Sequence, residues 1–125
     1  MVTGAARGIG AATARRFAGE GARVVLNYKT SREQAEKLVA ELPDAVAVQA
    51  DISQEGEVDA LFATAVERYG SVDVCVCNAA IYSPPAPAVD IDAERFRRIV
   101  DTNLTGRSWW RGRSCARLGG SDPAT

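Results

Sequence analysis

The sequence predicts an α/β fold in which a doubly wound parallel sheet is covered by helices on both faces. Short apolar runs alternate with amphipathic stretches along residues 1–106, with brief polar links between them. The apolar runs are continuous, which is typical of parallel strands that are buried on both sides. A chain of 125 residues, 46% of them hydrophobic, has the size and composition of one globular domain.

The first half of the chain begins with a partial strand, because only residues 1–3 precede the glycine-rich stretch TGAARGIG. Helical sequence follows, and residues 22–28, ARVVLNY, form a β-branched apolar run that predicts a buried strand. Thr30 and Glu33 have the spacing of a capping box for a second helix. The apolar pattern of that helix stops at Pro43.

The second half repeats this alternation. Residues 45–50, AVAVQA, predict another strand, and Ser53 is a candidate cap for a helix that ends at Gly70. Residues 72–77, VDVCVC, predict a fourth strand, and a Pro-rich loop separates it from a last helix that begins at about Asp92. One face of that helix carries Phe96, Ile99, Val100 and Leu104.

Composition and charge argue against several classes of function. The net charge of -1 divides into +3 over residues 107–125 and -4 over residues 1–106, which argues against nucleic-acid binding by the main body. Three Cys without disulfide-framework spacing, and no His, argue against a metal site and favour a reducing, cytoplasmic compartment. Cys75 and Cys77 alternate within an apolar strand and are interpreted as core residues. No run approaches the roughly 18 apolar residues of a membrane span.

The glycine-rich stretch is the first candidate site. Gly4, Gly8 and Gly10 directly precede a predicted helix. Glycine allows a sharp turn and a close approach to phosphate, and the N-terminus of a helix offers N–H groups and a partial positive charge. The position of the loop between a strand and a helix favours this interpretation over an ordinary Gly-rich turn. We therefore expect the loop, with Arg7 and Ile9, to bind the phosphates of a dinucleotide.

The spacing T-G-x-x-x-G-x-G resembles that of the short-chain dehydrogenase/reductase family, and the resemblance extends over about residues 2–106. It implies a Rossmann-type sheet with strand order 3-2-1-4, truncated to about four strands. It also implies an NAD(P)-dependent oxidoreductase that acts on a carbonyl or a secondary alcohol. The segment VVLNY looks most similar to the 3-oxoacyl-carrier-protein reductase and sugar dehydrogenase branches of the family.

Further motifs carry the resemblance along the chain. Asp51 in ADIS matches the acid whose carboxylate binds the adenine amino group in the family. The family's N-N-A-G appears as CNAA, so Asn78 and Ala79 match, whereas Cys77 and Ala80 replace an Asn and a Gly. The resemblance implies that these residues lie along the cofactor.

Asn103 in DTNLTG matches the Asn that supports the proton relay of the family, and it is the one catalytic residue that the resemblance assigns. Its spacing from Phe96 and Ile99 puts it on the apolar face of the last helix. A buried amide there requires polar partners, so an internal hydrogen bond is the alternative interpretation.

The second strand ends where the family distinguishes NAD from NADP. Asn27 stands where an acid would bind the ribose 2′-hydroxyl, and Lys29 and Arg7 could hold a 2′-phosphate. NADP is therefore favoured over NAD, with solvated surface charge as the alternative role of the two cations. The predicted cofactor-binding residues are Gly4, Arg7, Gly8, Ile9, Gly10, Asn27, Tyr28, Lys29, Asp51, Ile52, Asn78, Ala79 and Ala80.

The catalytic Tyr, Lys and Ser of the family have no match in these 125 residues. No Tyr is followed by Lys four positions later, and the lysines are Lys29 and Lys37. Carbonyl reduction requires a proton donor with a tuned pKa. We therefore expect this chain alone to be inactive.

Residues 107–125 differ in composition from the rest, with both Trp and no apolar period. We expect a partial dinucleotide-binding domain at 1–106 and an irregular tail at 107–125. A truncated or frame-shifted gene product is the favoured interpretation. The alternatives are a functional basic tail, or a noncatalytic dinucleotide-binding module that associates with a full-length relative. By resemblance, the helix of Asn103 forms part of a subunit interface, so a homo-oligomer is a further expectation.

Overall fold

The computed structural model describes residues 1–110 of the chain. Four α-helices and two strands alternate along these residues. Within the described part, no helix is long and apolar enough to cross a membrane. The elements are α1 (Gly8–Gly19), β1 (Val24–Tyr28), α2 (Arg32–Glu41), β2 (Ala45–Gln49), α3 (Glu55–Tyr69), a 3-10 turn (Ala88–Asp90), α4 (Ala93–Val100) and a π-helical turn (Asp101–Thr105).

The sheet is parallel, as the continuous apolar runs predicted. β1 and β2 pair in register from Val24 opposite Ala45 to Tyr28 opposite Gln49. On the other side of β1, Val2 forms parallel bridges to both Leu26 and Val76. The segments therefore stand in the order β2, β1, residues 1–3, residues 74–76, which confirms the predicted order 3-2-1-4.

The fourth predicted strand, residues 72–77, pairs less than expected. The amino group of Met1 donates to the Val74 carbonyl over 2.8 Å, and the Val76 N–H donates to the Met1 carbonyl over 2.9 Å. A single bridge between Val2 and Val76 thus stands where the sequence predicted a regular strand.

Helices cover both faces of the sheet, as expected for a doubly wound fold. Successive residues of β1 point to opposite faces, so Val24 and Leu26 pack on one side and Val25 on the other. The α1/α2 cluster contains Val2, Ala5, Ala11, Ala14, Ala18, Val24, Leu26 and Leu38. The α3 cluster contains Val25, Ala50, Ile52, Val58, Leu61, Phe62, Ala65, Val72 and Trp110.

Two predicted helix caps are wrong. Helix α2 begins after Ser31 with no side-chain cap. Glu33 forms an ion pair with Lys37 one turn later and does not close a capping box with Thr30. Ser53 likewise does not cap α3, because its hydroxyl donates to the carboxylate of Asp51. Glu33 and Ser53 thus each bind a charged side chain in place of a helix terminus.

Helix α4 begins where the sequence predicted, with the Asp92 carboxylate accepting from the Arg95 N–H over 2.7 Å. Its predicted apolar face is not buried within the described residues: Phe96 is 61% exposed, and Leu104 also lies at the surface.

The predicted boundary at residue 106 does not coincide with the end of the packed chain. Residues 106–110 are helical, and Trp110 is buried in the α3 cluster with its ring centroid 5.1 Å from that of Phe62. The structure thus has helix over residues 107–110, the first part of the segment that the sequence predicted to be irregular. Its remainder, residues 111–125, lies outside the described residues.

Candidate functional site

The glycine-rich loop joins residues 1–3 to helix α1 in a conformation that depends on its glycines. Gly4 and Gly8 have φ angles of +60° and +57°, which side-chain-bearing residues rarely adopt. A Cβ on Gly10 would lie 2.4 Å from the Gly4 carbonyl oxygen, so the first turn of α1 packs directly on the loop. The loop is thereby folded back over the N-terminus of the helix.

The N-terminus of α1 is open to a ligand. Among the described residues, no side chain caps it, and its first turn contains no acid. The first N–H groups of any α-helix lack intrahelical acceptors and carry partial positive charge. Arg7 and Ile9 are exposed there, Ile9 by 78%. The arrangement suits an anion such as phosphate.

Asn27 ties the glycine loop to the sheet. Its side chain is only 1% exposed, and its Oδ1 accepts from the Gly4 N–H over 3.4 Å. Its Nδ2 donates to the Ala50 carbonyl over 3.0 Å. The Asn27 amide therefore binds backbone groups of the protein itself. The sequence interpretation of this position missed this structural role.

Lys29 and Asp51 follow the carboxyl ends of β1 and β2 and form a salt bridge of 2.6 Å. The N–H and hydroxyl of Ser53 also donate to Asp51, over 3.0 and 2.7 Å. Burial alone would raise the pKa of Asp51, but these bonds and the charge of Lys29 outweigh it and hold that pKa below its ordinary value. Asp51 is therefore ionised and engaged on both oxygens.

Thr3 and Asn78 join the loop to the segment that follows residues 72–77. The Asn78 side chain donates to the Thr3 carbonyl over 2.9 Å and to the Gly4 carbonyl over 3.3 Å. The Ala79 N–H donates to the hydroxyl of Thr3, which is fully buried. Thr3 is thus a site residue that sequence reasoning did not select, although a buried hydroxyl next to the first glycine was the available signal.

Asn103 holds the loop after Ala80. Its Oδ1 accepts from the Ile81 N–H over 2.8 Å, and its Nδ2 donates to the Ile81 carbonyl over 2.9 Å. It lies in the π-helical turn that interrupts α4 and the helical residues 106–110. The internal hydrogen bond weighed from its spacing is thus present, and the π-turn directs the amide toward the loop.

These segments enclose an open cleft of about 320 Å³ at the carboxyl ends of the strands. In open α/β sheets, ligands bind at this edge. The predicted residues Gly8, Ile9, Gly10 and Asn103 do not line the cleft: the first three form the start of α1, and Asn103 acts through Ile81. The predicted residues that line it are Gly4, Arg7, Asn27, Tyr28, Lys29, Asp51, Ile52, Asn78, Ala79 and Ala80.

Three features of the cleft suit a dinucleotide. The anion-binding helix terminus lies at its glycine loop, Lys29 and Arg7 supply cations beside it, and Asp51 supplies a carboxylate for an amino group. In the described part of the chain, no group of three or more potential metal ligands is present. The cleft therefore fits an extended anionic ligand held by backbone amides and cations.

Comparison with known proteins gives matches along most of the chain. A family model described as enoyl-(acyl carrier protein) reductase matches residues 4–109. The 3beta-hydroxysteroid dehydrogenase 1 of Eggerthella lenta is 44% identical over 110 residues, which cover 85% of this chain and 42% of that protein. The 3-oxoacyl-[acyl-carrier-protein] reductase of a Synechocystis species is 40% identical over 110 residues, with 85% and 44% covered. The chain thus spans less than half the length of these relatives.

Solved structures agree with these matches. The 3-ketoacyl-(acyl-carrier-protein) reductase of Brucella melitensis, complexed with NADH, superposes with a TM-score of 0.88 at 38% identity, over 93% of this chain and 48% of that one. A short chain dehydrogenase of Burkholderia cenocepacia, in complex with NADP, gives a TM-score of 0.89 at 30% identity, over 94% and 50%.

Proposed function

The chain belongs to the short-chain dehydrogenase/reductase family, and from that membership we propose that its cleft binds a nicotinamide dinucleotide, NADP in preference to NAD. The observation that carries the proposal is the N-terminus of α1, which has no side-chain cap and no acid in its first turn. It lies against a loop whose conformation depends on Gly4, Gly8 and Gly10. The two cofactor-bound neighbours, one with NADH and one with NADP, support the dinucleotide without deciding between its two forms.

The glycine loop would hold the pyrophosphate. A Cβ at Gly8 would meet nothing within 4 Å, so phosphates would have open space to approach the backbone N–H groups at the start of α1. Asn27 and Asn78 keep the loop in this shape: Asn27 accepts from the Gly4 N–H, and Asn78 donates to the carbonyls of Thr3 and Gly4. The loop is therefore set before a ligand arrives, which lowers the entropic cost of binding.

The ends of β1 and β2 would hold the adenosine. Asp51 and Ile52 line the cleft and would bind the adenine amino group, and Lys29, which pairs with Asp51, would bind a ribose 2′-phosphate. Since Asp51 already binds Lys29, a 2′-phosphate would share that cation with the carboxylate. This arrangement favours NADP, because Lys29 would attract the negative charge of a 2′-phosphate and would gain no such attraction from the uncharged 2′-hydroxyl of NAD.

The bound dinucleotide would supply the hydride in the exchange between a carbonyl and a secondary alcohol. Asn103 would act as a positioning residue, since its amide fixes the backbone of Ile81 at the edge of the cleft. The 125 residues contain no Y-x-x-x-K to donate the proton. We therefore expect cofactor binding without turnover by this chain alone.

The test is calorimetric titration of the purified chain with NADPH and NADH, together with the variant Ile9→Glu. A carboxylate in the first turn of α1 stabilises a helix but repels phosphate, so Ile9→Glu should weaken binding roughly tenfold or more without unfolding the chain. Ala12→Glu is the matched control, because Ala12 is exposed on the same helix one turn later, beyond the free N–H groups of the first turn.

Saturable binding of NADPH that is tighter than that of NADH, with the loss confined to Ile9→Glu, is the expected result. Absence of saturable binding, in a chain whose circular dichroism shows its helices, would overturn the proposal. Reduction of a carbonyl substrate well above background would overturn the expectation of inactivity.

A further inference from the structure

Two cysteine thiols that the cleft does not use lie on one face of the segment 72–77. Val76, whose backbone bridges to Val2, packs against the α1/α2 cluster. Cys75 and Cys77 both pack against the α3 cluster on the opposite face. The extended backbone at Val76 thus turns the two flanking thiols to the same side of the sheet. Both cysteines are free and half-buried.

The two thiols influence each other's ionisation. A hydrogen bond from Cys75 lowers the pKa of the Cys77 thiol to about 7; burial opposes this effect and the nearby Arg107 adds to it. The same hydrogen bond and burial raise the pKa of the Cys75 thiol. At neutral pH the pair therefore presents a partly ionised sulfur beside a thiol, and the thiolate is the reactive form of cysteine.

The spacing of the pair disfavours a direct disulfide. In an extended segment the side chains of residues two apart point the same way, so their Cβ atoms are about 6.6 Å apart, whereas the Cβ atoms of a disulfide are about 3.8 Å apart. One bridging atom bound at ~2.3 Å to each sulfur, the zinc–sulfur distance, would leave the sulfurs roughly 3.5 Å apart. A ligand atom that takes two sulfurs suits this pair better than oxidation does.

We infer that Cys75 and Cys77 form a dithiol site for trivalent arsenicals, which bind two sulfurs through one arsenic atom. The inference is independent of the cofactor proposal. With phenylarsine oxide, two As–S bonds form, the oxygen leaves as water with the two thiol protons, and no atom changes oxidation state. The protein therefore gains one phenylarsenic group and loses two hydrogens.

Native mass spectrometry after treatment with phenylarsine oxide tests the site. The chain as it stands, and Cys115→Ser, should each bind one phenylarsenic group that survives excess glutathione and is removed by 2,3-dimercaptopropanol. Cys75→Ser and Cys77→Ser should not form this glutathione-resistant adduct. Loss of the adduct in Cys115→Ser would overturn the assignment to the Cys75–Cys77 pair.

A swapped variant separates a folded site from two cysteines that are merely close in sequence. Cys75→Val combined with Val76→Cys keeps the composition but directs the two thiols to opposite faces of the sheet. This variant should bind phenylarsine oxide in denaturant, where adjacent cysteines are free to converge, and lose the adduct under native conditions. An equally stable native adduct in the swapped variant, or no adduct in the original chain, would contradict the inference.

Discussion

The Nζ atom of Lys29 lies 2.6 Å from the Oδ2 atom of Asp51, joining the carboxyl ends of the two paired strands. Lys29 remains 61% exposed, whereas Asp51 is only 20% exposed. The cation expected at the 2′-phosphate is thus bound to the carboxylate expected at adenine. Under the proposed function, the two ends of the adenosine site are coupled, so a change at Lys29 also alters Asp51.

Lys29→Met should reduce the preference for NADP. Loss of one exposed cation from a phosphate contact corresponds to a roughly threefold to tenfold weaker binding of NADPH, with little change for NADH. Titration with both cofactors measures the ratio. Lys37→Met is the matched control, since Lys37 pairs with Glu33 on the surface of α2. Equal losses for NADPH and NADH would argue against a 2′-phosphate contact.

Asp51→Asn should lower the free energy of unfolding at neutral pH, and this difference from the original chain should disappear in acid. The pKa of Asp51 is lower in the folded state than in the unfolded state. Its contribution to stability is therefore present above the unfolded-state pKa and disappears as the pH falls through the folded-state pKa. We expect a difference of about 1 kcal/mol or less at pH 7, shrinking below about pH 4. Urea unfolding at several pH values measures it.

The partner variant checks the cause of this pH dependence. Lys29→Met removes the salt bridge and leaves the bonds from Ser53, so part of the dependence should remain. A stability difference between the original chain and Asp51→Asn that grows as the solution is acidified would contradict the sign of the shift.

Gly10→Ala should disrupt the glycine loop. Its Cβ would lie 2.4 Å from the Gly4 carbonyl oxygen and 2.6 Å from Nδ2 of Asn78, closer than real contacts allow. Overpacking of this kind costs about 1–3 kcal/mol. Gly19→Ala is the control on the same helix, because its Cβ would meet nothing within 4 Å, and it should be neutral or stabilising. Similar urea midpoints for both variants would exclude the tight approach.

Sequence patterns predicted the parallel order and the glycine loop because continuous apolar runs and glycine spacing are local signals. They did not reveal the roles of Thr3 and Asn27, whose hydrogen bonds with Ala79, Gly4 and Ala50 span 23 or more residues along the chain. The predicted caps at Thr30 and Ser53 were wrong for a different reason, since capping propensity does not exclude a competing local partner such as Asp51 for Ser53 or Lys37 for Glu33. Long-range hydrogen bonds thus define the parts of the site that spacing could not predict.

Asn103→Ala should release the loop that begins at Ile81. The substitution leaves the backbone N–H and carbonyl of Ile81, which are partly buried, without their amide partner, and loss of a typical hydrogen bond costs about 0.5–1.5 kcal/mol. Thr102→Ala, at the adjacent position, leaves both hydrogen bonds intact and should change stability by less than about 0.5 kcal/mol. Urea unfolding compares the two. Equal stability of the two variants would mean that the Asn103 amide does not hold the loop.

Trp110→Ala should destabilise the chain strongly, although Trp110 lies beyond the predicted boundary at residue 106. Trp110 is 2% exposed and packs on Phe62, and truncation of a buried Trp costs about 3–5 kcal/mol.

Trp110→Phe should cost less, because it also removes an indole N–H that is buried without a hydrogen-bond partner among the described residues. Phe96→Ala, on the exposed face of α4, is the control and should have little effect on unfolding. If Trp110→Ala unfolds at the same urea concentration as the original chain, residues 107–110 do not belong to the core. The packed domain would then end at Gly106, where the change in composition had placed its limit.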